Sequence, residues 1–188
     1  MQKVLADTVP QSLQDRAAGL VEDVHRTARR TIALVVEYDG TRYAGFQLQA
    51  KAPTVQGALE AAVLQLTRTS ARVRGAGRTD RGVHAQAQVV AFSTDSLLAC
   101  GVLEKGLNHF LPLDIGVKAA YHVQARFDPR RQAISREYRY TFLNSTKRSP
   151  LQERYAHRVA QRLDVEAMRT ALRSLEGERD FRCRSTLS

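Results

Sequence analysis

One carboxylate stands among arginines and glycines in the stretch GAGRTDRGVHA, residues 75–85. Asp80 has Arg78 and Arg81 close beside it, and Gly75, Gly77 and Gly82 let the backbone turn tightly around them. Arg72 and Val73 lead in as a strand would, and the apolar run Val89–Phe92 leads out as another. A carboxylate next to guanidiniums is favoured in its ionised form. It can serve as a nucleophile or base, as a metal ligand, or as half of a structural ion pair with Arg78. The metal reading wants more ligands than the motif offers. It holds no second acid, and His84 faces the same way only on a helix, which Gly82 opposes. No nucleophile elbow accompanies it. A single carboxylate acting directly, with arginine at hand, stands beside the ion-pair alternative.

The elements that must position this loop are read from periodicity. Thr31–Tyr38 (TIALVVEY) is β-branched and apolar, a central strand ended by the turn Asp39-Gly40. The loop 41–49 carries Tyr43 and Phe46 beside Arg42 and Gln47, groups suited either to contact bases or, for the rings, to anchor the loop in a core. Thr54 is placed as the N-cap of a helix whose face is Val55, Ala58, Leu59, Ala62, Val63 and Leu66. After the Asp80 loop and its strands, Leu98, Val102, Leu107 and Phe110 mark a second amphipathic helix, and residues 114–123 a further strand. The order over 31–123 is β-α-β-β-α-β, a ferredoxin-like half of the α+β class, with an antiparallel sheet and two crossover helices on one face.

The basic segment 125–132 links this half to the remainder of the chain. Residues 134–144 (ISREYRYTFLN) alternate as a strand that carries Arg136, Tyr138 and Tyr140 on one side and Arg139 on the other. Asp164 is placed as the N-cap of a last helix, with Val165, Met168, Leu172 and Leu175 as its apolar face and Gly177 at its end. Strand, loop and helix thus repeat the start of the first half. The expected organisation is a tail over 1–30, a first α/β half over 31–125 that carries Asp80, and a linker with the incomplete start of a second half over 126–188. A helix with one strand to cover is a poor stopping point, so a fragment or truncated chain is expected.

Composition narrows the function classes. The 188 residues are 43% apolar and 26% charged, as in a soluble globular protein. The net charge is +10, and 24 of the 29 basic residues are arginine, which favours bidentate phosphate contacts. Residues 1–125 carry 14 basic and 11 acidic groups, whereas 126–188 carry 15 and 8, so the excess lies in the second part. A polyanionic partner, nucleic acid, is the expectation, and a solvated basic face the bland alternative. Cys100 and Cys183 have no metal-type spacing and read as ordinary thiols of a reducing compartment. No apolar run approaches a membrane span, and the first thirty residues lack the apolar core of a secretory signal. Arg26, Arg29 and Arg30 hint at organelle import, but Asp7, Asp15, Glu22 and Asp23 argue for a cytoplasmic protein.

The stretch GRTDRGVHA at 77–85, with Gln88-Val89-Val90 after it, resembles the signature of the TruA-type tRNA pseudouridine synthases. Glu37–Gly40 with Tyr43, Gly45, Phe46 and Gln47, then Val55-Gln56, Leu111-Pro112 with Asp114-Ile115, Ala125–Phe127, Arg136–Tyr140 and Glu176-Gly177 with Asp180-Phe181 continue in that family's order. The resemblance implies a two-half pseudouridine synthase fold with the cleft between the halves. It implies isomerisation of uridine to pseudouridine at positions 38–40 of the tRNA anticodon stem-loop. It makes Asp80 the nucleophile, Arg78 its ion-pair partner and Tyr138 the ring that stacks on the target base. Arg42, Gln47, Arg126 and Arg136 become candidate RNA contacts. It also implies a homodimer working without metal or cofactor. The alternative on the same resemblance is a catalytically inactive RNA-binding remnant of the family.

Overall fold

A computed structural model describes residues 29–178. Residues 1–28 of the expected tail, Cys183 and the Asp180-Phe181 block lie outside the described residues, and Arg30, expected in the tail, begins the first strand. The chain divides into two compact units, Met1–Ser135 and Arg136–Ser188. The described residues form a mixed α+β structure with three helices and an antiparallel four-stranded sheet.

In the first unit, β1 (Arg30–Tyr38) is followed by a 3₁₀ turn at Gly40–Arg42, α1 (Val55–Thr67), β2 (Arg74–Gly75), β3 (Ala85–Thr94), α2 (Cys100–Phe110) and β4 (Ile115–Val123). The order β-α-β-β-α-β is the one the periodicity predicts. The sheet runs β2-β3-β1-β4, so β1 is central, with β3 and β4 antiparallel on its two sides. Its continuous apolar run explains that place: Thr31–Val36 are all buried, so both faces are covered, and Ile32, Leu34, Val36 and Tyr38 enter one core with Val90 and Phe92 of β3 and Ile115 and Val117 of β4. Both helices close over it. α1 buries Val55, Leu59, Ala62 and Val63, and its N-cap is Thr54, whose hydroxyl accepts from Gly57 N at 3.2 Å.

For α2 the burial corrects the sequence reading. Leu103 and Leu107 are its buried residues, while Val102 and Phe110, assigned to the apolar face, are 50% and 40% exposed. A face centred on 103 and 107 is one turn of i, i+4 spacing, and Asn108 fixes it against β4 by bonding both the N–H and the carbonyl of Val117 at 2.7 and 2.8 Å. On the other side of the sheet, the linker after β4 runs back across the strands. Thr31 Oγ1 donates to Ala125 O, and Arg74 Nη2 to Phe127 O, both at 3.3 Å.

The second unit contains β5 (Phe142–Asn144), β6 (His157–Val159) and α3 (Val165–Arg173). The predicted strand over 134–144 is not formed at that length. Only Phe142–Asn144 is strand, paired in parallel with β6, and Ile134, Tyr138 and Tyr140 are exposed outside any regular element. A strand needs a neighbour for its N–H and C=O groups, and the three residues of β6 can serve only that many. The N-cap prediction for α3 holds: Asp164 Oδ1 accepts from Ala167 N at 2.9 Å. No described helix is long and apolar enough to cross a membrane.

Candidate active site

The loop that carries Asp80 joins β2 to β3 and is tied to the sheet and to a neighbouring loop. At its root, Ala76 N donates to Val89 O at 2.8 Å, and Gln88 Nε2 to Gly77 O at 2.6 Å. At its tip, the loop lies against residues 43–46. Phe46 N donates to Thr79 O at 2.9 Å, and Gly82 N to Tyr43 O at 3.3 Å. Val83 N closes a turn onto Asp80 O at 3.2 Å. The approach requires glycine at position 45, where φ is 113° and a Cβ would sit 2.8 Å from the Thr79 carbonyl oxygen.

The neighbouring loop is itself held. Tyr43 and Phe46 are buried and anchor it in the core, so of the two readings the rings allow, anchoring is the one realised. The Tyr43 hydroxyl donates to Asp114 Oδ1 at 2.6 Å. Burial first, and then that carboxylate, hold its pKa well above the usual tyrosine range. From α1, Gln56 N donates to Phe46 O at 2.9 Å and Gln56 Oε1 accepts from Leu48 N at 3.0 Å. Glu60 Oε1 takes both Gln56 Nε2 at 2.7 Å and Val73 N at 3.0 Å, joining α1 to the approach of β2. On the strand side, the hydroxyls of Tyr38 and Thr79 share a hydrogen bond of 2.8 Å.

Against this braced backbone the candidate side chains are open. Asp80, Arg78 and Arg81 are exposed, and no salt bridge joins Arg78 to Asp80 among the described residues. Arg42 and Gln47 are exposed at the two ends of the braced 43–46 segment, with Arg42 3.6 Å from Asp114 Oδ2. These residues share one neighbourhood with Asp80. Arg126 is exposed on the linker that crosses the opposite face of the sheet. Arg136 and Tyr138 belong to the second unit, where Tyr138 is 69% exposed. His84 fixes the turn before the loop: its Nδ1 accepts from Gly40 N at 3.2 Å and lies 3.1 Å from Asp39 Oδ1. Sequence reasoning missed Tyr38, Thr79 and Glu60. For Tyr38 a signal existed, a hydroxyl placed on the core-facing side of a buried strand, where it must find a partner.

The loop is held by backbone bonds and presents one exposed carboxylate among arginines, the arrangement of a candidate active site. Residues 34–130 match the model of a family described as tRNA pseudouridine synthase. Among curated relatives, the tRNA pseudouridine synthase A of Geobacter sp. (strain M21) is 45% identical over 152 residues, 81% of this chain and 62% of that protein. That of Roseiflexus castenholzii is 48% identical over 152 residues, covering 56% of its own length. That of Geobacter sulfurreducens is 45% identical, covering 62%. The chain belongs to the tRNA pseudouridine synthase family, and it spans 56–62% of the length of these relatives.

Proposed function

We propose that this chain isomerises uridine to pseudouridine at positions 38–40 of the tRNA anticodon stem-loop, with Asp80 as the attacking group. The observation that carries the reading is the placement of Asp80: exposed, on a loop whose backbone is bonded on both sides, inside the stretch that matches the family. The reaction breaks the N1–C1′ bond and forms a C5–C1′ bond; C5 loses a proton to water and N1 takes one up. No electrons are gained or lost, so the step consumes no oxidant or reductant; that it works without metal or cofactor is what the resemblance implies. An ionised carboxylate can open it by attack at C6 or at C1′, or by proton abstraction towards a glycal. Arg78 is the cation that pairs with Asp80 once RNA covers the loop and removes water. Tyr138 stacks on the flipped base and offsets part of the few kcal/mol that flipping costs. Arg42, Gln47, Arg126 and Arg136 hold RNA, which makes binding fall with salt.

The strand order β2-β3-β1-β4 supports the reading of a ferredoxin-like half. We read residues 31–125 as that half and 126–188 as a linker with the start of a second one, with homodimer formation as in the resemblance. A tRNA substrate fits a cytoplasmic protein. A second reading, an RNA-binding chain without turnover, is favoured by the absence, among the described residues, of a salt bridge between Arg78 and Asp80.

Tritium release from tRNA carrying 5-tritiated uridine separates the readings. The 188-residue chain is expected to release tritium and Asp80→Asn to abolish it while tRNA binding persists. Binding without release by the unsubstituted chain establishes the second reading, and release that survives Asp80→Asn removes Asp80 as the attacking group.

A further inference from the structure

The two carbonyls that flank the Asp80 Cα are both occupied. Thr79 O accepts from Phe46 N at 2.9 Å, and Asp80 O from Val83 N at 3.2 Å. Both peptide planes that carry the carboxylate are therefore set, and the side-chain torsions are what remains. Thr79 has one further tether, its hydroxyl, bonded to the hydroxyl of Tyr38 at 2.8 Å. Tyr38 is 3% exposed, stands at the end of the central strand, and its ring packs beside that of Phe46 with centroids 6.4 Å apart. Its ring is thus part of the core, whereas its hydroxyl reaches out of the core to the residue next to Asp80. Phenylalanine would serve the packing equally well, so the hydroxyl needs its own explanation.

We infer that Tyr38 is a positioning residue, whose hydroxyl holds Thr79 and through it the Asp80 carboxylate in the geometry needed for attack. The central strand supplies one end of the brace through Tyr38. Helix α1 supplies the other, since Gln56 N holds Phe46 O at 2.9 Å and Phe46 N holds Thr79 O. The carboxylate is presented to solvent by a backbone anchored at both ends in the core, which fits a group that must meet a substrate from outside without drifting. Misplacement of a reacting group by a fraction of an ångström costs turnover rather than substrate binding. The inference rests on the reading of Asp80 as the attacking group, but its structural half is measurable without turnover.

The test uses the 188-residue chain with Tyr38→Phe, Thr79→Ala and Thr79→Ser, and two readouts. In tritium release, Tyr38→Phe and Thr79→Ala each lower kcat about tenfold with KM changed less than about twofold, and the pair together lose no more than either alone. Thr79→Ser keeps the hydroxyl and restores kcat. In carbon-13 NMR, the Asp80 carboxyl resonance, assigned by its loss in Asp80→Asn, moves in Tyr38→Phe and Thr79→Ala and returns in Thr79→Ser. An unmoved carboxyl resonance, or an unchanged kcat alongside a lowered urea midpoint, overturns the proposal and leaves Tyr38 a core residue. If the unsubstituted chain releases no tritium, the proposed function fails by itself and the carboxyl resonance alone decides the brace. Should Tyr38→Phe fail to fold, Thr79→Ala, at a half-buried position, gives the answer.

Discussion

The two units use the same local signals and reach different ends. Each has a helix with an oxygen-bearing N-cap, Thr54 on α1 and Asp164 on α3, each accepting from the N–H three residues on. Each has a hydrophobic face at helical spacing. In the first unit that face is buried: Val55, Leu59 and Val63 have no exposed surface. In the second it is not. Val165, Leu172 and Leu175 are 52%, 57% and 41% exposed, and no described residue of 136–178 is buried. The strands differ in the same way. β1 has a full-length neighbour on both sides, whereas β5 has three residues beside β6. What holds the second unit is polar: Asn144 Nδ2 donates to Val159 O and Gln161 O at 2.9 and 2.6 Å, and Glu153 accepts from Ser149 N at 2.8 Å. Local chemistry starts an element, and burial against a second layer makes it stable.

The largest contrast lies in the cores. Leu59→Ala removes a fully buried side chain from the centre of α1 and is expected to cost about 2–5 kcal/mol in urea unfolding. Leu172→Ala, on the exposed face of α3, is expected to change stability by less than about 0.5 kcal/mol. Equal losses at the two sites would mean that the α3 face is covered in solution, and the comparison would collapse.

A middle-sized contrast lies in the glycines with positive φ. Gly45 (φ 113°) has the Thr79 carbonyl 2.8 Å from where a Cβ would stand, while Gly177 (φ 85°) has open space. Gly45→Ala therefore carries both backbone strain and a collision with the peptide that leads into Asp80. It is expected to lower stability by about 2–3 kcal/mol and to cut tritium release with it. Gly177→Ala carries strain alone, about 1 kcal/mol, confined to the end of α3. Melting temperature and release rate measured together on Gly45→Ala sharpen the point, because a stability loss without a rate loss would separate the 43–46 loop from the function of Asp80.

The first unit was legible because its signals agree with one another. The β-branched apolar run Thr31–Tyr38, the cap at Thr54 and the glycine-rich turn before Val89 all point to one sheet with two helices on it, and that is the arrangement found. Asp80 as a candidate was legible from its motif, a single acid among arginines and glycines. The brace behind it was not. Tyr38 and Thr79 are 41 residues apart, and only the pairing of β1 with β3 brings them together. Residues 134–141 were misread because alternation records which face a strand would bury, not whether a neighbour exists to make it a strand. The face of α2 was misplaced for a related reason: Val102 and Phe110 fit the period, but the sheet beneath admits only the stripe through Leu103 and Leu107.

The caps give the smallest contrast and the cleanest one, since the bonding is alike and only the burial differs. Thr54 is 4% exposed, and its cap begins a helix packed into the core. Thr54→Ala leaves Gly57 N without its partner in a place water reaches poorly, and is expected to cost about 1–2 kcal/mol of global stability. Asp164→Ala breaks the same bond on an exposed helix, where water can replace the lost oxygen. It is expected to lower the helicity of α3 locally and leave the melting temperature of the first unit unchanged. Amide exchange is read inside the helices, at Val63 of α1 and Thr170 of α3, because Gly57 and Ala167 lose their own acceptors in the variants. Faster exchange at Val63 would track global unfolding, and faster exchange at Thr170 would not. If Asp164→Ala instead lowered the global transition as much as Thr54→Ala, α3 would be a cooperative part of the fold, and its exposed face would have to be buried in the molecule as it exists in solution.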